Sequence, residues 1–369
     1  MRRLLDTSYD AAVRDTLLPL TLCALISNAF AQSAPAPAPA STAPAVTSAI
    51  PVKISGRLDV GLRSAIPSDL SKETTSSEAV DEGSNARLNF SGASDIDSDL
   101  SSYFMIEMRF NADNGAQNDS AALFKDKAWV GLNSKKYGDL KLGRLHSPQY
   151  GISTAGRYEA FSGDSYASMG SRGALAANQW NNAIYYTTPT ANGFNAGLTF
   201  SKGEKTAANG IGAHLAYTSG PASAAFSVQQ EQDKWDTTTQ KTMDTVAMGA
   251  YYDFGIARVG GTYARSSKAN ITGTGSQSVF TVGVRVPYGP GEIRASVRNI
   301  DETSRKSATD ASSDVDSFRI GIGYAWLLDA TTGVHFSLVR DTQKRFNANG
   351  SEKSNASGEG AEISLRKTF

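Results

Sequence analysis

From Val52 onward the chain alternates between apolar and polar residues. In VKISGRLDVGLR the even positions Val52, Ile54, Gly56, Leu58, Val60 and Leu62 are apolar or small, and the odd ones include Lys53, Arg57, Asp59 and Arg63. Period-two alternation puts successive side chains on opposite faces of an extended strand. The same grammar recurs in SYFMIEMRF (102–110), FTVGVRV (280–286), EIRASVRN (292–299) and FRIGIGYAW (318–326), and no stretch shows a convincing helical stripe. Sixteen such segments are expected, at 52–62, 85–92, 100–110, 126–133, 138–143, 182–188, 194–201, 210–217, 222–230, 244–253, 256–264, 278–287, 291–299, 317–326, 332–341 and 361–369. The last of them, AEISLRKTF, runs to the final residue with Ala361, Ile363, Leu365 and Phe369 on one face, broken only by Lys367.

The connections alternate in length. Those after odd-numbered segments are long (111–125, 231–243, 300–316, 342–360) and those after even-numbered segments are mostly short, such as TPTANG, TSGP, DFG and PYGPG. A soluble sandwich gives no reason to place all long loops at one end, whereas an outer-membrane barrel does. Residues 51–369 are therefore expected to form an all-β, sixteen-stranded antiparallel transmembrane β-barrel. The connection from about Arg144 to Asn181 is too long to lack a role, and folding into the lumen would supply one. Tyr186, Phe194, Tyr217, Tyr252, Phe254, Tyr324, Trp326 and Phe369 stand near strand ends and suit interfacial girdles.

Composition narrows the reading. The formal net charge is zero, which gives no argument for a nucleic-acid partner, and no window holds eighteen consecutive apolar residues. Barrel strands need none, because only alternate residues face lipid. LLPLTLCALISNAF (17–30) with the Ala29-Phe30-Ala31 site reads as a signal peptide over residues 1–31. Cleavage there removes Cys23, the single cysteine. Residues 32–50, rich in Ala and Pro, read as a semi-rigid periplasmic tether.

Parity assigns Arg57, Arg87, Arg109, Lys127, Arg258, Arg285, Arg294, Arg298, Arg319 and Arg366 to the lumen, with fewer acids, Asp59, Glu107, Glu292 and Glu362. A basic wall raises the local anion concentration in a confined pore. His146, His214 and His335 have no ligand spacing, so neither a metal nor another cofactor is expected. Asp95, Asp97 and Asp99 begin like a calcium loop, but Leu100 stands where the turn glycine is needed, so an acidic turn is expected.

RLNFSGASDIDSDLSSYFMIEMRFN, AWVGLNSKKYGDLKLGRLHSPQYG, NNAIYYTTPTANGFNAGLTF and the terminal SLRKTF together resemble the general porins of beta-proteobacteria. The resemblance implies a homotrimer of sixteen-stranded barrels whose third loop folds inward as a constriction. It implies passive diffusion of ions and small hydrophilic solutes, residence in the outer membrane among lipid and lipopolysaccharide, and no enzymatic activity. It also implies that Phe369 is read by the barrel assembly machinery. Gln179 is a departure: the family commonly has arginine two residues before the Asn-Asn pair. The pore constriction is expected to set Arg57, Arg87, Arg109 and Arg144, with Asp59 and Glu107, against Glu159 and Asp164 of the inward loop. Arg144 shares parity with Leu140 and Leu142, so it faces inward only where the strand bulges or has ended. A solute-specific channel, a barrel enzyme and an adhesin are the alternative readings.

Overall fold

The computed structural model describes residues 51–64, 78–82, 86–154, 156–163, 165–169, 176–203, 209–232, 242–270, 273–304, 313–347 and 349–369. The signal-peptide and tether segments, 1–31 and 32–50, lie outside these residues, as does Asp164.

The strands are β1 (Lys53–Ser64), β2 in two pieces (Glu78–Glu82 and Arg87–Asp95), β3 (Leu100–Arg109), β4 (Lys127–Ser134), β5 (Gly138–His146), β6 (Gln179–Thr187), β7 (Phe194–Ser201) and β8 (Gly210–Ser219). They continue as β9 (Ala222–Gln232), β10 (Thr242–Asp253), β11 (Arg258–Asn270), β12 (Gly273–Tyr288), β13 (Gly291–Ser304), β14 (Ser313–Leu327), β15 (Thr332–Phe346) and β16 (Glu352–Thr368). Each pairs antiparallel with its sequence neighbours, and β16 returns to β1 with Arg57 opposite Thr368 and Ser64 opposite Ala361. The sheet therefore closes and has no edge, which is what lipid demands of a spanning sheet. Both pieces of β2 lie along β1, with a two-residue register offset between them, so the barrel has sixteen strands.

Burial along the strands is inverted relative to a soluble protein. Leu62 and Leu338 are each at least 60% exposed, whereas Arg57 is 5% and Asp59 0% exposed. The apolar parity faces outward and the polar parity faces inward, as a lipid-facing barrel requires. Aromatic pairs cluster at the short-turn ends: Phe194 with Tyr217 at 4.6 Å, Tyr252 with Phe254 at 4.7 Å and Tyr288 with Tyr324 at 6.5 Å. Asp97 caps its turn by accepting from the amides of Asp99 (2.7 Å) and Leu100 (2.8 Å), so the acidic turn is an Asx turn.

The terminal segment closes the barrel to its last residue. Phe369 N donates to Gly56 O at 3.1 Å, and Gly56 N donates to Phe369 O at 2.9 Å. Its ring lies over Gly56, where an added Cβ would come within 2.5 Å of Cζ. Lys367 faces outward, and its ammonium reaches Thr331 Oγ1 (2.7 Å) and Thr332 Oγ1 (2.9 Å) at the next turn. That snorkelling reconciles a cation with the apolar face.

The boundaries differ most at the long-loop end. β12 spans 16 residues and β16 spans 17, so much of the expected 342–360 loop is strand. EKSNASGEG (352–360) has no apolar parity because there both faces of the ribbon meet polar surroundings.

Candidate functional site

The site is built from inward-facing residues of the wall and from the connection between β5 and β6. The described part of that connection packs on inward-facing side chains from β9 to β16. Gln149 N donates to Gln229 Oε1 (3.0 Å), Ala160 N to Ser296 Oγ (3.0 Å) and Tyr166 N to Glu362 Oε1 (3.2 Å). Arg298 Nη1 donates to Met169 O (2.6 Å), and Ala177 N to Glu231 Oε2 (3.1 Å). Arg319 Nη1 holds Asp341 at 2.7 Å while its Nη2 donates to Tyr166 O.

Apolar contacts supplement these bonds. Ile152 and Tyr158 are buried against Ala247, Ala264, Val279 and Ile300, and Phe161 against Val339. Burying each of these large side chains contributes about 1.5–3 kcal/mol. The wall makes room with inward glycines. A Cβ on Gly249 would strike the Tyr158 ring, one on Gly283 would meet Ala160 N at 2.6 Å, and one on Gly323 the Phe161 ring at 3.0 Å.

On β1, β2 and β3 the arginines Arg57, Arg87 and Arg109 are direct cross-strand neighbours. Buried Glu107 accepts from Arg109 Nε at 2.9 Å and from Lys127 Nζ at 2.9 Å, and stands 3.8 Å from Arg87. Asp126 takes Arg109 Nη2 (2.9 Å), Lys127 Nζ (3.2 Å), His146 Nε2 (2.9 Å) and Gln179 Nε2 (3.0 Å). Gln179 thus fills with an amide donor the place where the resembling family carries arginine. Asp59 holds Arg366 at 2.6 Å. Arg63 pairs with Glu362 at 2.6 Å and lies 4.6 Å from the centroid of the Tyr166 ring, with Arg319 5.6 Å from the same centroid. Tyr166 therefore has two guanidinium groups within cation–π reach of its ring, a favourable placement for an aromatic face.

Arg57, Arg87, Arg109, Asp59, Glu107 and Lys127 come together on β1–β4, and Arg258, Arg285, Arg294, Arg298 and Arg319 all face inward on β11–β14. Two expectations are corrected. Arg144 keeps the outward parity of Leu142, and its guanidinium bonds Lys125 O (2.6 Å) and Asn181 Oδ1. The irregularity between β5 and β6 does not turn it, because the extra residue falls on β6: Leu145, opposite Trp180, is the buried one. Glu159 belongs to the inward connection but does not confront the Arg57 row. It accepts from Phe161 N (2.8 Å), Gly163 N (3.1 Å), Ser168 Oγ (3.1 Å) and Ser296 Oγ (3.1 Å), so it anchors the connection to β13.

Asp126, Arg63 and Tyr166 were missed by sequence reasoning. Parity could have added Arg63, which alternates in step with Arg57 and Asp59. Asp126 has the outward parity of Ala128 but precedes the first residue of β4, so its side chain is free to turn inward. His146, without ligand spacing, lies against the Tyr150 ring at 4.2 Å and on Asp126.

A family model described as Gram-negative porin matches residues 20–345. The chain is 27% identical over 274 residues to outer membrane porin protein 32 of Delftia acidovorans, covering 69% of this chain and 74% of that one. It is also 27% identical over 225 residues to an outer membrane porin protein of Bordetella pertussis, spanning 55% of this chain and 57% of that relative. Among solved structures, the anion-selective porin from Comamonas acidovorans superposes with a TM-score of 0.69 at 23% identity, over 86% of this chain and 99% of that chain. The trimer form of OmpT from Vibrio cholerae superposes with a TM-score of 0.64 at 14% identity, over 87% and 100%.

Proposed function

The chain belongs to the Gram-negative porin family, and from that premise we propose a general diffusion channel that prefers anions. As a porin it resides in the outer membrane and passes ions and small hydrophilic solutes passively. Its relatives are named porins rather than enzymes. The observation that carries the anion preference is the inward wall, where Arg57, Arg87, Arg109 and Lys127 face Glu107, Asp126 and Asp59, while Arg258, Arg285 and Arg294 add further cations. Field lines focus in a narrow cleft with low-dielectric walls, so such a surplus raises the anion concentration within it.

In this reading Arg57, Arg87, Arg109, Asp59 and Glu107 line the constriction. Glu159 and Asp164 belong to the loop that narrows it, with Glu159 as an anchor. Lys127, Arg258, Arg285, Arg294, Arg298 and Arg319 form the basic wall. The channel works as a homotrimer, a reading supported by likeness to the trimer form of OmpT. Residues 1–31 export the chain, 32–50 tether it, and Phe369 presents the terminal aromatic to the assembly machinery. Outward Arg340, paired with Glu359 at 3.4 Å, and exposed Lys344 suit contact with the phosphates of outer-leaflet lipopolysaccharide.

Ion substitution tests the reading. Replacing chloride with a bulky organic anion should lower single-channel conductance more than replacing potassium with a bulky organic cation. A larger loss on cation replacement would overturn the preference, and absence of conductance steps would overturn the channel.

A further inference from the structure

A second line of cations crosses the wall far from the Arg57 row in sequence. Arg258 on β11 pairs in register with Arg285 on β12, which pairs with Arg294 on β13. All three share the inward parity of buried Thr262, Thr281 and Ser296. Directly opposed residues in antiparallel strands have Cβ atoms about 4.5–5.5 Å apart, so three guanidinium groups are crowded side by side. They lie at the short-turn end: Arg258 opens β11, and Arg285 and Arg294 flank the turn between β12 and β13.

The two rows are compensated differently. Around the Arg57 row, Glu107 and Asp126 each meet two or more cations, and Asp59 takes Arg366. Around the second row, Glu292 is the carboxylate among the described residues that pairs, with Arg294 Nε at 2.6 Å and Arg285 Nη1 at 3.7 Å. Arg258 makes no ion pair among the described residues, and its guanidinium lies 4.7 Å from the Tyr251 ring centroid. Tyr251 in turn contacts Tyr158 at 5.9 Å, which brings exposed Arg157 of the connection to the same end, where it reaches Ser223 Oγ at 3.4 Å. Glu159 of the connection makes no ion pair with the row among the described residues; its two oxygens accept from four neutral donors instead. Arg285 Nη2 donates to Ser162 Oγ, which aims one side of the row toward the connection.

We propose that Arg258, Arg285 and Arg294, flanked by Arg157, form an anion subsite at the short-turn end of the pore that holds a divalent oxyanion. Guanidinium forks match the paired oxygens of phosphate and carboxylate, which a spherical halide cannot satisfy. Such an anion bridges two or three arginines and relieves their mutual repulsion, so it lingers where chloride passes. The subsite deepens the anion-preferring reading and rests on it.

Channels in planar bilayers bathed in dilute KCl, in weakly alkaline buffer where phosphate is the dianion, test this with inorganic phosphate as probe. Phosphate should reduce chloride conductance saturably, and succinate should do the same if the paired oxygens are what is recognised. The double variant Arg285→Gln/Arg294→Gln should raise the half-blocking phosphate concentration by about tenfold, the equivalent of about 1.4 kcal/mol. Lys344→Gln, an exposed cation on the outer face of β15, should leave it within about twofold. Should the double variant fail to fold, Arg258→Gln breaks no ion pair and should weaken the block in the same direction. Absence of saturable block in the unaltered channel overturns the subsite, as does a block that neither the Arg285/Arg294 double variant nor Arg258→Gln weakens. A zero-current potential favouring potassium in the same membranes is a different result, because it removes the underlying anion reading.

Discussion

At the residue scale, the wall consists of cations held apart by a few buried acids. Glu107 is 2% exposed and meets Arg109, Lys127 and Arg87. Removing one partner of a buried ionic network costs about 3–5 kcal/mol, because the remaining charges stay desolvated. Glu107→Gln should therefore lower the urea midpoint of the folded barrel and also move the zero-current potential toward that of a perfect anion channel. An unchanged potential would mean Glu107 lies outside the ion path. Asp329 plays a purely structural part. It accepts from the Thr331 amide (2.6 Å) and hydroxyl (2.8 Å) and from the Thr332 hydroxyl (2.9 Å), which hold its carboxyl well below the usual carboxylate range. A carboxyl whose pKa is depressed on folding adds stability at neutral pH that is lost as pH falls through the depressed value. Asp329→Asn should accordingly shrink the acid-induced loss of stability, measured as the difference in thermal midpoint between neutral and strongly acidic buffer. An equal acid loss in both proteins would contradict it.

At the element scale, the β5–β6 connection is the part whose placement matters most. Gly249→Leu should displace Tyr158 from the bare strip it occupies, at an overpacking cost of about 1–3 kcal/mol. Amide exchange at residues 158–163 should then accelerate by about tenfold, while strands β10–β13 change by no more than about twofold. Uniform acceleration would show a general loss of stability instead. Gly56→Val tests the closing pair. It drives a side chain into the Phe369 ring and to within 2.6 Å of Arg87 O, and should destabilise the barrel by about 1–3 kcal/mol in urea titrations. The strands themselves were legible because lipid and water impose a period of two on them. Where that contrast ends, as in EKSNASGEG, the period vanishes and the strand read as loop. Arg144 shows the converse: parity was right, and the expectation that placed it in the pore went against parity. Glu159 could not be read from sequence at all, because its partners Ser296 and Ser168 are set by where the connection lies on the wall.

At the scale of the whole molecule, a closed sheet with buried arginines and exposed leucines makes sense only with lipid outside and water inside. The zero net charge of the chain conceals this polarity. Acids are abundant in the connections, and cations accumulate along the inward face, so the formal sum says nothing about the field an ion meets in the pore. The central claim is that this field favours anions. The zero-current potential of the purified channel across a KCl gradient tests it most directly. A potential with the sign of the chloride equilibrium potential is predicted, and one with the sign of the potassium equilibrium potential would contradict the account.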